Sequence, residues 1–312
     1  MSEWSVAEPR KLTFDAPVTA LHVRLVNGMV HVVGTDEDTA RLEVSEIEGP
    51  PLTVTQKDGV LSVAYDDLPW KGFRKLKGLA QKGWWHRAVV SLAVPAGARV
   101  EVGAIGAGAM VSGIEGPVEV RSVTGDMTLV GLTGPVNAET MSGGVEAQGV
   151  CGDLGFRSVS GDLTMVEAAG ASVRADSVSG ALIVDLTPTG TPADLALTNI
   201  SGEIAVRLPH PADTEVEVET TSGAVSSAFE ELRVSGGAQG WGWGTKRVTG
   251  RLGAGGGSLR ATTVSGAVAL LRRPPMEEDP YDEVPLDVAP SDSPDADVPP
   301  QPPAAPTHKK VL

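Results

Sequence analysis

Hydrophobic and polar residues alternate along most of this chain, and the alternation is organised around a recurring step of an apolar residue, a hydroxyl residue and glycine. The step occurs at Val123-Thr124-Gly125, Met141-Ser142-Gly143, Val159-Ser160-Gly161, Val178-Ser179-Gly180, Ile200-Ser201-Gly202, Thr221-Ser222-Gly223 and Val264-Ser265-Gly266. The glycines are 18, 18, 19, 22, 21 and 43 residues apart, the last gap being about two periods. A two-residue alternation predicts strands, and a near-constant spacing in this range is the sequence signature of a solenoid.

Three positions of the repeat carry mainly aliphatic residues, and we predict that all three face one interior. Two residues before the glycine stand Val123, Met141, Val159, Val178, Ile200, Thr221 and Val264; two after it stand Met127, Val145, Leu163, Leu182, Ile204, Val225 and Val268; four after it stand Leu129, Ala147, Met165, Val184, Val206, Ser227 and Leu270. If each repeat is one coil and coils stack about 4.8 Å apart, equivalent side chains lie over one another. The prediction is an all-β, single-stranded parallel β-solenoid or β-helix, with right-handed winding favoured.

The hydroxyl residue and the glycine are predicted to form a corner of each coil. The hydroxyl should face away from the aliphatic columns and bond to its equivalent in the next coil. Glycine suits a corner that needs positive φ or a close backbone approach. A second half-repeat, Gly113-Ile114-Glu115-Gly116-Pro117-Val118, recurs 18 residues later from Gly131. Two strands and two corners per coil fit that spacing.

Three regions are predicted along the chain. Residues 1–102 form a β-rich N-terminal region, in which Asn27-Gly28 is either a hairpin turn or an early coil corner. Residues 103–273 form the solenoid repeats, with a glycine-rich loop at Trp241 and Trp243 that is either a contact site or a cover for the end of the solenoid, followed by an irregular coil. Residues 274–312 contain 11 prolines and nine acids, which predicts a disordered acidic tail.

The segment from Trp70 to Arg87 is basic and aromatic and contains no acid. Its candidate contact residues are Trp70, Lys71, Phe73, Arg74, Lys75, Lys77, Lys82, Trp84, Trp85 and Arg87. On a helix, Phe73 and Trp84 would share an apolar face opposite the cations. This face could close the end of the solenoid, the segment could bind an anionic membrane or another polyanion, or it could dock the acidic tail. The sequence leaves these three interpretations open.

Composition and charge argue against several classes of function and of binding site. The net charge of −15 argues against nucleic-acid binding over the whole surface. The single cysteine, Cys151, excludes an internal disulfide, and the five histidines show no metal-ligand spacing, so they are interpreted as solvated residues. We expect no metal and no cofactor. The acidic N-terminus and the absence of a long apolar run lead us to expect a cytoplasmic protein.

An enzyme is the least favoured functional hypothesis. Asp126 and Asp162 occupy one column of the repeat two coils apart, a separation of about 10 Å, which is wide for a working pair of carboxylates. Phe156 is the only aromatic residue between Gly103 and Ala228, so this stretch offers little for a sugar ring to stack on. A carbohydrate-active β-helix enzyme is therefore a second alternative only.

The steps Ser158-Val159-Ser160-Gly161-Asp162-Leu163 and Ser177-Val178-Ser179-Gly180-Ala181-Leu182, with Val94-Pro95-Ala96-Gly97 leading into the repeats, resemble a bacterial β-strand-repeat family of unknown function that carries the tag "putative adhesin". The resemblance covers roughly residues 10–272 and is of the actinobacterial type. It implies a β-solenoid with no established catalytic residue, cofactor or substrate. Many members carry membrane or export signals, which are not recognised in this sequence.

The leading hypothesis is a non-enzymatic intracellular scaffold or protein-interaction module with a hydroxyl-lined face and a protein partner. The alternative is a peripheral binder of an anionic membrane or polyanion through residues 70–87. End-to-end self-association is also predicted if the terminal coils expose unpaired strand edges.

Overall fold

The computed structural model describes residues 2–65, 85–169, 172–188, 192–236 and 244–274, and within these ranges the chain consists of strands joined by tight turns and corners. These ranges hold no helix long and apolar enough to span a membrane. The predicted all-β parallel solenoid is confirmed.

The strands belong to two sheets that enclose one hydrophobic core. Sheet A comprises β1 (Ser2–Val6), β3 (Ala20–Leu25), β6 (Leu52–Lys57), β7 (Val60–Ala64), β9 (Arg99–Ala104), β11 (Val118–Ser122), β13 (Val136–Thr140), β15 (Leu154–Ser158), β17 (Ser172–Ser179), β19 (Asp194–Ser201), β21 (Thr214–Thr220), β23 (Arg233–Ser235), β24 (Lys246–Leu252) and β25 (Gly257–Thr263). Sheet B comprises β2 (Arg10–Phe14), β4 (Asn27–Thr35), β5 (Ala40–Glu48), β8 (Arg87–Pro95), β10 (Gly108–Ser112), β12 (Met127–Val130), β14 (Val145–Gln148), β16 (Leu163–Ala168), β18 (Leu182–Leu186), β20 (Ile204–Leu208), β22 (Val225–Ser227) and β26 (Val268–Arg272).

Each coil contributes one strand to sheet A, turns at the glycine corner, and contributes the next strand to sheet B. Equivalent strands pair in parallel and in register, for example Val136 with Leu154 in sheet A and Val145 with Leu163 in sheet B. The columns two and four residues after the glycine point into the core, where Leu163 and Met165 are fully buried. This part of the predicted interior is correct.

The column two residues before the glycine, by contrast, faces outward, and our prediction for it was wrong. Met141 is 49% exposed and Val159 is 50% exposed. The interior of sheet A is instead formed by the residues three, five and seven before the glycine, such as Ser158, Phe156 and Leu154. The glycine corner interrupts the two-residue alternation, so side chains on its two sides do not follow one continuous pattern.

Spatial order departs from chain order at the C-terminal end. In sheet A the order is β19-β25-β21-β24-β23, and in sheet B it is β20-β26-β22. The chain therefore builds the end coil β21/β22 first, forms the antiparallel pair β23/β24 against it, and returns to insert β25/β26 one coil inward. The doubled glycine gap, which we predicted to contain an irregular coil, is this detour.

The N-terminal end is closed in a similar way. Strands β3 and β4 form a coil, and Asn27-Gly28 is its corner rather than a hairpin turn, because β3 and β4 lie in different sheets. Strands β7 and β8 form the end coil and pair in parallel with β3 and β4. Sheet A continues through β9, where the predicted boundary at residue 102 falls, and sheet B continues from β4 to β10. Antiparallel strands β6 and β5, followed by β1 and β2, flank this end.

Candidate interaction surface

In five of the seven repeats, the corner is fixed by two hydroxyl groups with different partners. In the Val159 repeat, the Ser158 hydroxyl is buried and accepts a hydrogen bond from the Gly161 amide at 2.6 Å. The Ser160 hydroxyl donates to the carbonyl oxygen of Met141 in the preceding coil at 3.1 Å, and the Ser160 amide donates to the same oxygen at 2.8 Å. Such local bonds from hydroxyl side chains to the backbone stabilise tight corners.

The outer hydroxyls repeat this contact along the stack. Thr124, Ser142, Ser179, Ser201, Ser222 and Ser265 each donate to a backbone carbonyl of the neighbouring coil at 3.2–3.4 Å. The prediction that these hydroxyls bond to one another is therefore wrong. Their protons are used by the backbone, so the hydroxyl row serves as an intercoil clamp.

The corner glycines allow neighbouring coils to approach closely. A Cβ atom on Gly143 would overlap the carbonyl oxygen of Gly125, and one on Gly161 would overlap the carbonyl oxygen of Gly143. Neither residue has a positive φ. Close backbone approach is thus the reason for glycine at these two corners.

The outward column beside the clamp forms an aliphatic ridge, which we define as Val123, Met141, Val159, Val178, Ile200 and Val264. Val123 is half-buried, whereas the other five are between 45% and 50% exposed. Strand order places the six in successive coils, because β25 lies next to β19. At about 4.8 Å per coil the ridge is roughly 24 Å long. Aliphatic side chains so aligned form a continuous patch of the kind that marks interaction sites on soluble proteins.

Next to the ridge, the outer face of sheet A carries charges that alternate in sign along the stack. Arg121, Glu139, Arg157 and Asp176 occupy equivalent positions in β11, β13, β15 and β17. Glu139 accepts from Arg121 at 3.1 Å and from Arg157 at 3.3 Å. These pairs are exposed and stabilise the fold only slightly. We call this row the charge column.

A groove of about 360 Å³ separates the ridge from the charge column at the centre of the stack. It is lined by Arg121, Ser122, Glu139, Thr140, Met141, Arg157, Ser158 and Val159. The groove therefore combines an aliphatic wall, a charged wall and a hydroxyl-containing floor. Its shallow, mixed surface fits a protein side chain better than a deeply enclosed small molecule.

The repeat acids have structural partners. The Asp126 carboxylate accepts from the Gly144 amide at 2.9 Å, and the Asp162 carboxylate accepts from the Ala181 amide at 2.7 Å. Each acid thus ties its coil to the next. Within the described ranges, no cluster of three or more His, Cys, Asp or Glu residues has an arrangement that could hold a metal ion.

The contact residues predicted from sequence lie mostly outside the described residues. Those outside are Trp70, Lys71, Phe73, Arg74, Lys75, Lys77, Lys82, Trp84, Trp241 and Trp243. Trp85 is described and is 80% exposed. Arg87 begins β8 and forms an ion pair with Glu46 at 3.7 Å. Between them, His86 is buried against Tyr65 in an edge-to-face contact with ring centroids 4.7 Å apart, so the expectation that all histidines are solvated was wrong.

The ridge and the charge column were not recognised in the sequence as a surface. A signal for them was present, because Ser, Thr or Asn stands three residues before the glycine in all seven copies. The residues five and seven positions before the glycine are hydrophobic. Continuing their two-residue alternation toward the glycine places the polar residue in the interior and the following residue, at the ridge position, on the surface. The prediction had extended the alternation backward from the glycine instead.

Comparison with known proteins shows which family model and which solved structures this chain is similar to. Residues 117–270 match the family model described as Toastrack DUF4097, whose function is unknown. A "putative adhesin" from Bacteroides fragilis is 11% identical, with a TM-score of 0.38, and the alignment covers 85% of this chain and 98% of that one. A "putative cell adhesion protein" from Clostridium sporogenes is 12% identical, with a TM-score of 0.22, covering 85% and 100%. Among curated proteins, none matches significantly. The family match confirms the resemblance inferred from the motif.

Proposed function

We propose that this chain, whose residues 117–270 match the Toastrack DUF4097 family model, is a non-enzymatic interaction module, and that the aliphatic ridge and the neighbouring face of sheet A form its contact surface. The ridge is the observation that carries this proposal. Val159, Val178 and Ile200 are each about half exposed and lie in consecutive coils on a rigid scaffold. Apolar side chains that are aligned and desolvated together can supply the central part of a protein interface.

A non-enzymatic role is supported by the use of the polar groups along the corner. The carboxylates of Asp126 and Asp162 accept bonds from backbone amides, and the outer hydroxyls donate to carbonyls. General acid–base work needs groups that can reach a substrate at hydrogen-bond distance. These groups are instead committed to holding the coils together. A cytoplasmic location stays part of the proposal.

Affinity capture from the native host tests the contact surface. The double variant Val178→Gln/Ile200→Gln makes two ridge positions polar without adding charge. The matched control is Ile183→Gln/Leu271→Gln on the outer face of sheet B, where the two side chains are 40% and 45% exposed. We expect the ridge variant, but not the control, to lose the proteins that the intact chain recovers. Equal recovery by both variants would remove the ridge from the proposal.

The cellular compartment is tested separately by fractionating the host and probing for the native chain. Recovery in the soluble cytoplasmic fraction is the expected result. Recovery only with the envelope would overturn the cytoplasmic part of the proposal and would leave the contact surface unaffected.

A further inference from the structure

The charge column has a symmetry that points to a particular partner. It reads Arg121, Glu139, Arg157 and Asp176 along adjacent strands, so reversing the order of the coils places an acid opposite every base. The midpoint of the column lies between β13 and β15. That point is also the middle of sheet A, which has seven strands on each side of it.

A twofold axis through this midpoint, parallel to the strands, brings two copies of sheet A face to face. Each column then lies on its own counterpart with the coil order reversed, as an isologous interface requires. We propose that a second copy of this chain binds the outer face of sheet A about this axis. The inference rests on the proposed function, because it uses the same ridge and names its partner.

The next column on the same face has the same property. Two residues earlier in each strand, Glu119 of one copy would oppose Arg174 of the other, and Asn137 would oppose Gly155. Ten consecutive parallel coils, from β7 to β21, are aligned by this axis. In neither column, along all ten coils, do two like formal charges oppose each other when histidine is neutral. Juxtaposed like charges would disfavour such a complex.

The central part of the ridge also matches itself. The axis places Met141 opposite Val159 and Val123 opposite Val178, and it places Ile200 opposite Ile105, a half-buried residue that lies outside the ridge as defined. Two copies share the same coil spacing of about 4.8 Å, whereas one face of a single extended strand presents side chains about every 6.7 Å. A strand from another protein would therefore lose its match within about three coils, but a second solenoid keeps the same spacing from coil to coil.

The available area is sufficient for a specific complex. Ten coils at about 4.8 Å span roughly 48 Å, and three outward columns at about 6.7 Å spacing span roughly 20 Å, giving about 1,000 Å² per partner. A standard stable interface buries about 800 Å² per partner. The groove lined by Met141 and Val159 lies at the axis, where the two ridges meet.

A rescue experiment in trans tests the proposal directly. Glu139→Arg and Arg157→Glu each place two like-charge pairs across the axis when the variant meets itself. When the two variants are mixed, both pairs become opposite in sign. Sedimentation equilibrium on the intact chain, on each variant and on an equimolar mixture measures the association. Far-UV circular dichroism and the urea midpoint establish that each variant is folded, and Glu139→Gln and Arg157→Gln replace any variant that is not.

We expect the intact chain to be dimeric, each charge variant to associate at least about ten-fold more weakly, and the mixture to recover dimer. Recovery in trans is not expected from a merely structural role of these residues. An intact chain that stays monomeric up to about 100 µM, or variants that dimerise as the intact chain does, would overturn the proposal. So would a mixture that fails to recover dimer. A monomeric chain that still captures host proteins through the ridge would refute the dimer and leave the proposed function standing.

Discussion

The orientation of the column two residues before the glycine can be tested with one isosteric substitution made at two sites. Valine to threonine keeps the branched shape and the strand propensity but adds a hydroxyl group. Val159 belongs to the ridge and is 50% exposed, whereas Val145, in the neighbouring coil, is 1% exposed. From the sequence, both were predicted to face the interior. In the structure, only Val145 does.

The expected costs follow from the surroundings of the two side chains. At Val145 the hydroxyl would enter the aliphatic column between Met127 and Leu163, where a polar group without a hydrogen-bond partner costs about 1–3 kcal/mol. At Val159 the hydroxyl would point into water, and such surface changes usually stay within about 0.5 kcal/mol. The difference between the two variants should therefore be at least about 1 kcal/mol.

Urea unfolding followed by circular dichroism measures this difference. The protein concentration should be low enough that the midpoint no longer changes on dilution, so that self-association does not contribute. Val145→Thr should lower the midpoint, and Val159→Thr should leave it almost unchanged, with the same slope for both. Equal losses at the two sites would refute the outward orientation of the ridge and, with it, the proposed contact surface.

Three further substitutions test other features of the fold by the same unfolding measurement. Gly143→Ala should destabilise the chain by about 1–3 kcal/mol or more, because its Cβ would overlap a carbonyl of the preceding coil; an unchanged midpoint would contradict the close approach. Glu167 has a φ of 57° at the position where the preceding coils have glycine, as at Gly149 with 62°. Glu167→Gly should therefore stabilise the chain by about 0.5–1 kcal/mol, whereas Glu167→Ala should not. Equal effects of the two substitutions would argue against backbone strain at Glu167. Asp185→Asn should lower the free energy of unfolding by about 1–3 kcal/mol, because this 5% exposed carboxylate pairs with two arginines. Asp176 is more exposed, so Asp176→Asn should lower it by at most about 1 kcal/mol. Similar losses at the two sites would contradict a specific role for the buried charge.

The sequence was sufficient to predict the solenoid because the repeat acts locally. Met127, Val145 and Leu163 recur at one offset from the glycine, and parallel pairing in register places such residues over one another. The corner itself was also predictable from the glycine and its hydroxyl neighbour. The direction of the hydroxyl bonds was not, because Ser160 can satisfy its proton equally well on a side chain or on the carbonyl of Met141.

The order of the last coils could not be read from the repeat. Val264-Ser265-Gly266 carries the same columns as Thr221-Ser222-Gly223, so either coil could stack on the one at Gly202. The structure places Gly266 next to Gly202 and Gly223 outside it. The antiparallel pairing of β24 with the outer edge of β21 fills a position that another parallel coil would otherwise take. The order of the last two coils therefore depends on a non-local strand pairing, which the spacing of the sequence repeat does not specify.

Strand propensity alone does not account for the composition of the ridge. Threonine has the same branched shape as valine and favours strands, and it would not expose an apolar side chain. The chain has threonine at this repeat position only at Thr221, in the end coil. From Met141 to Val264, five consecutive coils in space carry valine, isoleucine or methionine instead. An exposed apolar row reduces solubility unless it is covered. This row lies beside a charge column that becomes complementary to itself when the order of the coils is reversed. Contact with a partner best explains both features together.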